Sequence, residues 1–447
     1  MGLSISTATE QGAPTLRRTL RMKDLVAYGL VYIAPMAPLT TFGFVWDASG
    51  ELIALAYLLG ALCMYFTAQS YVAMSAKVPS SGSVYGFTRH SLGEVPGFIA
   101  GWLILLDYLL ISALVFLVMS IGLQTLLPNL DRTLSILGLV ALCLAVNWAG
   151  IAVTTRMSLV SAAIQFVVMI VLIILALYAL SDGKGASALT AAPFYDASQF
   201  DPMKIFAATS ICVLSFLGFD AITTLCEEAK SDDRRMIGRA IFIVLGICTL
   251  VFVGGTWVLG NLMPGITIDD PSSAIYQLLT VQISPFSTLA VAWIIALLTG
   301  FTNVLPMQVG VSRVLCAMSR DRQLPGILTR LNPKNGTPQV ALLFSTLISL
   351  AVAIAIRNDI DTLATFVNFV ALSAFALLHV SVLVQFAIKE RSRLFAHWIV
   401  PIVGIVVVLV ILQSMNRSVL ELGAVWLLIG FVYGLFLRQK GRAALEV

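Results

Sequence analysis

Uncharged apolar runs of about 20 residues recur from one end of this 447-residue chain to the other. Only 11% of the residues are charged and 59% are hydrophobic, whereas a soluble domain carries about 25% charged residues. No soluble core can hide that much apolar surface, so the runs are read as membrane-crossing helices, each needing roughly 20 mainly apolar residues. Twelve segments qualify: 24–46, 51–76, 96–126, 132–150, 156–180, 203–226, 238–262, 284–317, 338–356, 361–388, 397–415 and 418–437. They are numbered helix 1 to helix 12. The fold class expected is an all-α polytopic membrane protein.

Lysine and arginine set the orientation, because loops on the cytoplasmic side carry them in excess. With the N-terminus inside, only Arg132, Lys184, Lys204, Arg357 and Arg417 fall on outer segments, and the other 22 of the 27 Lys and Arg lie inside. The expectation is an N-in, C-in protein of a bacterial cytoplasmic (inner) membrane. The first 23 residues are polar and lack an apolar signal-peptide region. The closing "AALEV" resembles a tag remnant and is set aside. All six cysteines lie in apolar runs and read as small buried hydrophobes. No basic cluster is interleaved with aromatics, so nucleic acid is not an expected partner.

One of these helices interrupts itself. The stretch "YIAPMAPLTTFG", 32–43, puts Pro35 and Pro38 inside helix 1. Each proline removes a backbone donor and clashes with the carbonyl four residues back, at about 3 kcal/mol. Five helices later, helix 6 carries Ser215, Gly218 and Asp220 at its centre, flanked by Phe216 and Phe219. Non-helical backbone at membrane depth is tolerated where it is buried in protein or lines a polar cavity. Paired breaks in corresponding halves mark the binding sites of transporters built from inverted repeats. A five-helix offset fits a 5+5 inverted repeat, 24–180 and 181–388, with helices 11 and 12 (389–437) appended. The tails would be 1–23 and 438–447. The competing reading is a proline kink and a packing glycine with no joint role.

Three stretches carry a family resemblance. "SFLGFDAITTLCEEAK" (215–230), "SRVLCAMSRDRQLPGILTRLNPKNGTPQVA" (312–341) and "PSSGSVYGFTRHSLGEVPGFIAGW" (79–102) resemble the helix 6 signature, the loop after helix 8 and the start of helix 3 of the amino acid–polyamine–organocation superfamily of permeases. Through "GLVYIAPM" and "GWLILLDYLL" the chain looks closest to the bacterial putrescine importers. The resemblance implies a leucine-transporter-type fold, with helices 1 and 6 unwound at the midplane and helices 3, 8 and 10 completing the pocket. It implies a monomeric secondary transporter importing a small amine or amino acid, coupled to protons or working by exchange, with no cofactor, metal or catalytic residue. The substrate-binding positions it implies are Ala34, Pro35, Met36, Ala37, Pro38, Thr40 and Thr41 in helix 1, and Ser215, Phe216, Gly218, Phe219 and Asp220 in helix 6. Three positions depart from the pattern. Thr40 stands where an aspartate is expected in the putrescine importers, Gln165 where some proton-coupled relatives carry lysine in helix 5, and Gly238 where a proline precedes helix 7.

Other side chains are weighed one by one. Asp107 lies well inside helix 3, where a charge is costly and usually functional; it is read as an ammonium partner or proton carrier, against a structural hydrogen bond. Tyr108 points about 100° away from it and divides between pocket lining and packing. Asn303, near Pro306 in helix 8, is expected to line the site. Asp107, Gln165, Asp220 and Glu227 are the coupling candidates. Phe216 and Phe219 are candidate lids, and Glu227 and Glu228 with Arg235 a candidate inner gate, the alternative being solvated surface charge. His379 and Asn368 in helix 10 read as packing residues first. Sodium coupling is disfavoured because Thr302 lacks an adjacent hydroxyl. No phosphate-binding loop, zinc-protease motif or serine–histidine set is present, which disfavours an ATP-driven pump or an enzyme. One acid in helix 3 with no second facing it fits a monoamine or neutral amino acid better than a diamine.

Overall fold

The computed structural model describes residues 20–78, 82–149, 151–230, 235–268, 270–320, 323–330 and 338–443. Among these the chain is helical, its only β feature an isolated bridge between Leu20 and Ala229. Nine helices are long and apolar enough to cross a membrane, and a tenth span is counted if the bent pair Met22–Thr40 and Phe42–Ser49 is one. Arg132–Trp148 and Gln339–Ala355 are shorter apolar helices of 17 residues each.

Helix 3, Glu94–Leu126, is the axis of the molecule. It is apolar around its whole circumference, and 89% of its membrane window is buried. It packs on helix 10 (Ile360–Val382), on helix 9 (Gln339–Ala355) and on the Val304–Arg320 part of helix 8. At the periphery, helices 11 (Phe395–Gln413) and 12 (Arg417–Ala443) have only 28% and 22% of their windows buried. Their outward rows of Val, Leu, Ile and Phe are the surface a bilayer would cover.

Helix ends follow local chemistry. Asp131 accepts from the Leu134 amide at 3.0 Å, Asp201 from Met203 at 2.9 Å ahead of Pro202, and Asp359 from Thr362 at 3.2 Å. Each satisfies an amide that the first helical turn leaves without a partner.

Two stretches read as loops are structured. Ser83–Leu92 forms a largely buried helix before helix 3, ended by Gly93 at φ +98°. The connection after helix 7 folds into a 3₁₀ turn, Pro271–Ser273, a short helix, Ala274–Leu278, and a π-helix, Leu279–Ile283. This second element sits on the end of helix 1, where a Cβ on Gly43 would lie 2.2 Å from the Pro271 carbonyl oxygen. Both stretches are too short and too mixed in polarity to show a helical period in the sequence. Helix 8, expected as one run, is segmented: Pro285–Trp293, a π-helix over Ile294–Leu298, Thr299–Thr302 and Val304–Arg320. Pro306 has no amide for the Thr302 carbonyl four residues back, and the interruption falls there, at Asn303.

The Gly43 contact is testable. Gly43→Ala must push the Pro271 backbone away and should cost about 1–3 kcal/mol, read as a lowered melting temperature in detergent; an unchanged melting temperature would contradict the packing described.

Candidate functional site

Helix 1 runs as Met22–Ile33, breaks, and resumes as Ala37–Thr40 and Phe42–Ser49, with a bend of 59°. At the break Ala34 holds φ +56°, a left-handed conformation that costs a residue with a side chain about 1–2 kcal/mol. Such strain persists where the surroundings impose it and clusters at functional sites. The Ala34 carbonyl, which Pro38 cannot serve, accepts instead from Ala37 at 3.0 Å.

Helix 6 runs as Pro202–Phe216 and then leaves the helix. Leu217 is extended (ψ 140°), Gly218 has φ +114°, and the chain continues as a 3₁₀ helix, Phe219–Glu228. Long 3₁₀ runs are uncommon and often mark a hinge. A Cβ on Gly218 would stand 2.7 Å from the Tyr32 carbonyl oxygen. The two breaks are therefore in backbone contact, and glycine is required twice over at 218, for its φ and for its lack of a side chain.

Hydroxyls fasten the two breaks together. Thr41 Oγ1 and Tyr57 Oη lie 2.7 Å apart, Tyr57 Oη and Ser215 Oγ 3.0 Å, and Thr41 Oγ1 and Ser215 Oγ 3.3 Å. The triangle ties helix 1 and helix 6 to helix 2 (Ile53–Lys77). Tyr32 reaches across to helix 8, its hydroxyl donating to the Pro306 carbonyl at 3.4 Å.

A cavity of about 70 Å³ opens against the breaks, several times the ~15 Å³ that one water needs. Ala34, Ala37, Thr40 and Thr41 line it from helix 1, and Ser215 and Leu217 from helix 6. Helix 3 supplies Ile111, Leu114, Val115 and Val118, a stripe at helical spacing. Thr299, Asn303 and Met307 come from helix 8, and Ile360, Asp361 and Ala364 from helix 10. A smaller cavity shares Thr40, Phe44, Val118 and Ile360 with it and is closed by Ser272, Ile275 and Tyr276 of the loop element.

The remaining expected residues lie elsewhere. Asp107 and Tyr108 sit one helical turn before Ile111 and do not line the cavity. Tyr108 and Tyr71 both donate to Asp220 Oδ2, at 3.1 and 3.4 Å. Asp220 thereby pins the 3₁₀ segment of helix 6 to helices 2 and 3. Asp107 is 4% exposed and its Oδ1 has no hydrogen-bond partner. Phe216 is buried against Tyr57 and Phe252, with ring centroids 6.4 and 5.2 Å apart. Phe219 is buried against Tyr71 and Phe375, at 5.7 and 6.4 Å. Pro35, Met36, Pro38 and Gly218 shape the breaks without lining the cavity. Gln165, fully buried, donates from Nε2 to Thr302 Oγ1 at 3.0 Å, and Ser158 donates to the Phe301 carbonyl, both at the interruption of helix 8. His379 is held by Ser70 at 2.8 Å, under Gly404. The side chains of Glu227 and Glu228, and all of Arg234, lie outside the described residues; Arg235 begins helix 7, Arg235–Gly260. Among the described residues no three of His, Cys, Asp and Glu converge as a metal site.

Tyr57, Tyr71, Thr299 and Asp361 were not anticipated. The signal for Asp361 is its register, since 361, 364 and 368 share one face of helix 10. Tyr57 and Tyr71 carry no such signal among the other aromatics of helix 2.

Two substitutions test this geometry. Gly218→Ala should cost roughly 2 kcal/mol or more of stability and depress uptake strongly; wild-type melting and uptake would contradict the contact between the breaks. Tyr57→Phe removes two hydroxyl contacts and should cost about 1–2 kcal/mol, measured as a melting shift against Tyr65→Phe, whose hydroxyl accepts from Gln69 on an exposed face of helix 2.

Comparison with known proteins places this architecture. A family profile described as amino acid permease matches residues 25–435. The chain is 30% identical over 426 residues to the low-affinity putrescine importer PlaP of Escherichia coli (strain K12), covering 94% of this chain and 93% of that protein. It is 28% identical over 467 residues to the branched-chain amino acid permease BcaP of Bacillus subtilis (strain 168), covering 97% and 96%. It is 26% identical over 392 residues to the cationic amino acid transporter 4 of Mus musculus, covering 83% and 60%. These relatives are transporters rather than enzymes, and a multi-pass chain with a cavity between two broken helices fits them. The chain belongs to the amino acid permease family, within the amino acid–polyamine–organocation superfamily.

Proposed function

We propose that the protein imports a small amine-bearing solute, an amino acid or an amine, across the cytoplasmic membrane by alternating access. The observation that carries the reading is the cavity bounded by both helix breaks. Unwound backbone offers amides and carbonyls that no helical bond uses. A carboxylate would take the amides of the helix 1 break, and an ammonium the carbonyls of both breaks. The relatives include putrescine, branched-chain and cationic amino acid carriers, which share the amine.

Adding the bent helix 1 and the two 17-residue helices to the nine long ones supports a twelve-span, N-in, C-in topology. A broken helix opening each half supports the 5+5 repeat. In this reading the chain works as a monomer, and Glu227 and Glu228 with Arg235 open and close the inner gate.

Uptake is proton-coupled in this proposal, with Asp107 as carrier. It is a buried carboxyl with an unpartnered oxygen, one turn below the cavity and beside the Asp220–Tyr108–Tyr71 group. A proton taken there would change the charge of the layer that separates the cavity from the start of helix 3. Gln165 favours a second reading, exchange without net ion coupling, because its amide cannot titrate and it already serves Thr302.

Uptake into proteoliposomes separates the two. Proton coupling predicts accumulation in empty vesicles under an imposed pH gradient, abolished by a protonophore; exchange predicts uptake only into vesicles preloaded with solute. Asp107→Asn should lower gradient-driven uptake at least tenfold and flatten its pH dependence, and a wild-type pH profile in that variant would remove Asp107 from the mechanism.

A further inference from the structure

The cavity has a chemical sign that the breaks alone do not give it. Of its twenty lining residues only Asp361 is ionisable, and among the described residues no lysine, arginine or histidine lines it. Asp361 lies in the first turn of helix 10, beside Ile360, which borders the smaller cavity under the loop element. Asp361 is exposed to solvent, its backbone carbonyl accepts from Thr365 Oγ1 at 2.9 Å, and its carboxylate has no ion-pair partner among the described residues. Asp359, the nearest charged residue on the same element, is engaged as the helix cap. Arg357 donates to the Ile354 carbonyl.

The other polar atoms of the cavity divide into used and unused. At the break end, Thr41 and Ser215 are engaged in the hydroxyl triangle, and Thr40 donates to the Ala37 carbonyl at 2.8 Å. On helix 8, Thr299 Oγ1 and Asn303 Oδ1 are buried and without a hydrogen-bond partner among the described residues. A buried acceptor left unsatisfied costs about 1–3 kcal/mol and calls for a donor. The spare side-chain groups of this cavity are thus a carboxylate, an amide oxygen and a hydroxyl. That set suits an ammonium, which brings three N–H donors and a positive charge. The apolar wall of Ile111, Leu114, Val115, Val118 and Met307 would flank the alkyl chain that joins such an ammonium to the rest of the solute.

We infer that Asp361 is the specificity-determining residue of this cavity, taking a cationic nitrogen at the end of the substrate remote from the helix breaks, so that the preferred solutes are diamines and cationic amino acids. This rests on the import reading above. It reverses the expectation of a monoamine or neutral amino acid, which came from finding no second intramembrane acid opposite helix 3. The acid that matters sits on helix 10 and faces the cavity, and Asp107, the one counted, does not line it.

The test compares matched pairs that differ only in the second cation: 1,4-diaminobutane with butylamine, and lysine with norleucine. Affinities are measured by ligand-induced thermal stabilisation and competition on purified protein in nanodiscs, for wild type, Asp361→Asn and Asp361→Glu. The wild type should favour the dicationic member of each pair at least tenfold. Asp361→Asn should reduce that ratio at least tenfold, and Asp361→Glu should restore most of it. A ratio that survives Asp361→Asn overturns the assignment of Asp361 and leaves the import reading standing. A wild type that favours butylamine or norleucine also overturns it. If no amine or amino acid stabilises the wild type, the import reading fails and the assignment with it. Equal melting temperatures of the three proteins without ligand establish that the ratios report binding.

Discussion

The contact on which this structure depends is between two stretches of backbone: Gly218 of helix 6 lying against the carbonyl of Tyr32 in helix 1. In a bilayer a broken helix is affordable only where protein shields it from lipid. Here each break shields the other. Gly218, at φ +114°, brings the chains close enough for the Thr41–Tyr57–Ser215 hydroxyls to close around them. What remains open is the side of the pair that faces helices 3, 8 and 10, and that side is the cavity.

Beneath the cavity the molecule changes character. The helix 3 stripe facing the cavity is purely apolar at Ile111, Leu114, Val115 and Val118. One turn earlier it becomes Asp107 and Tyr108, and Asp220 is bound there by two tyrosine hydroxyls. Phe219 and Phe375 pack around Tyr71 on the same level. This layer joins the 3₁₀ part of helix 6 to helices 2 and 3. The break at Gly218 and the Asp220 layer are therefore parts of one segment of chain.

Much of the fold was legible in the sequence. The apolar runs located the nine long apolar helices, because a spanning segment must be apolar over its full length. Pro35, Pro38 and Gly218 located both breaks, because few residues are as restrictive or permissive of backbone as these. The helix Ser83–Leu92 and the element after Pro271 were not legible, being short and held by tertiary packing. At the cavity, the residues of the breaks and Asn303 of helix 8 were expected, while the individual lining residues of helices 3 and 10 were not. Asp107 was recognisable as a buried acid, yet its level relative to the cavity depends on how helix 3 is seated against its neighbours. Asp361 looked like one more charge at a helix end, and only the packing of helix 10 turns it to the cavity. Phe216 and Phe219 looked like lids because they flank the glycine, but both are consumed by aromatic packing.

The central claim is that the two breaks form the floor of the substrate site. An experimental structure with a transported amine bound tests it most directly. The account predicts the solute's polar groups within hydrogen-bond distance of backbone atoms in 33–37 and 215–217, with helix 3 residues 111–118 along its flank. A solute bound elsewhere, with helix 1 continuous through Ala34 or the breaks out of contact with it, would contradict the account.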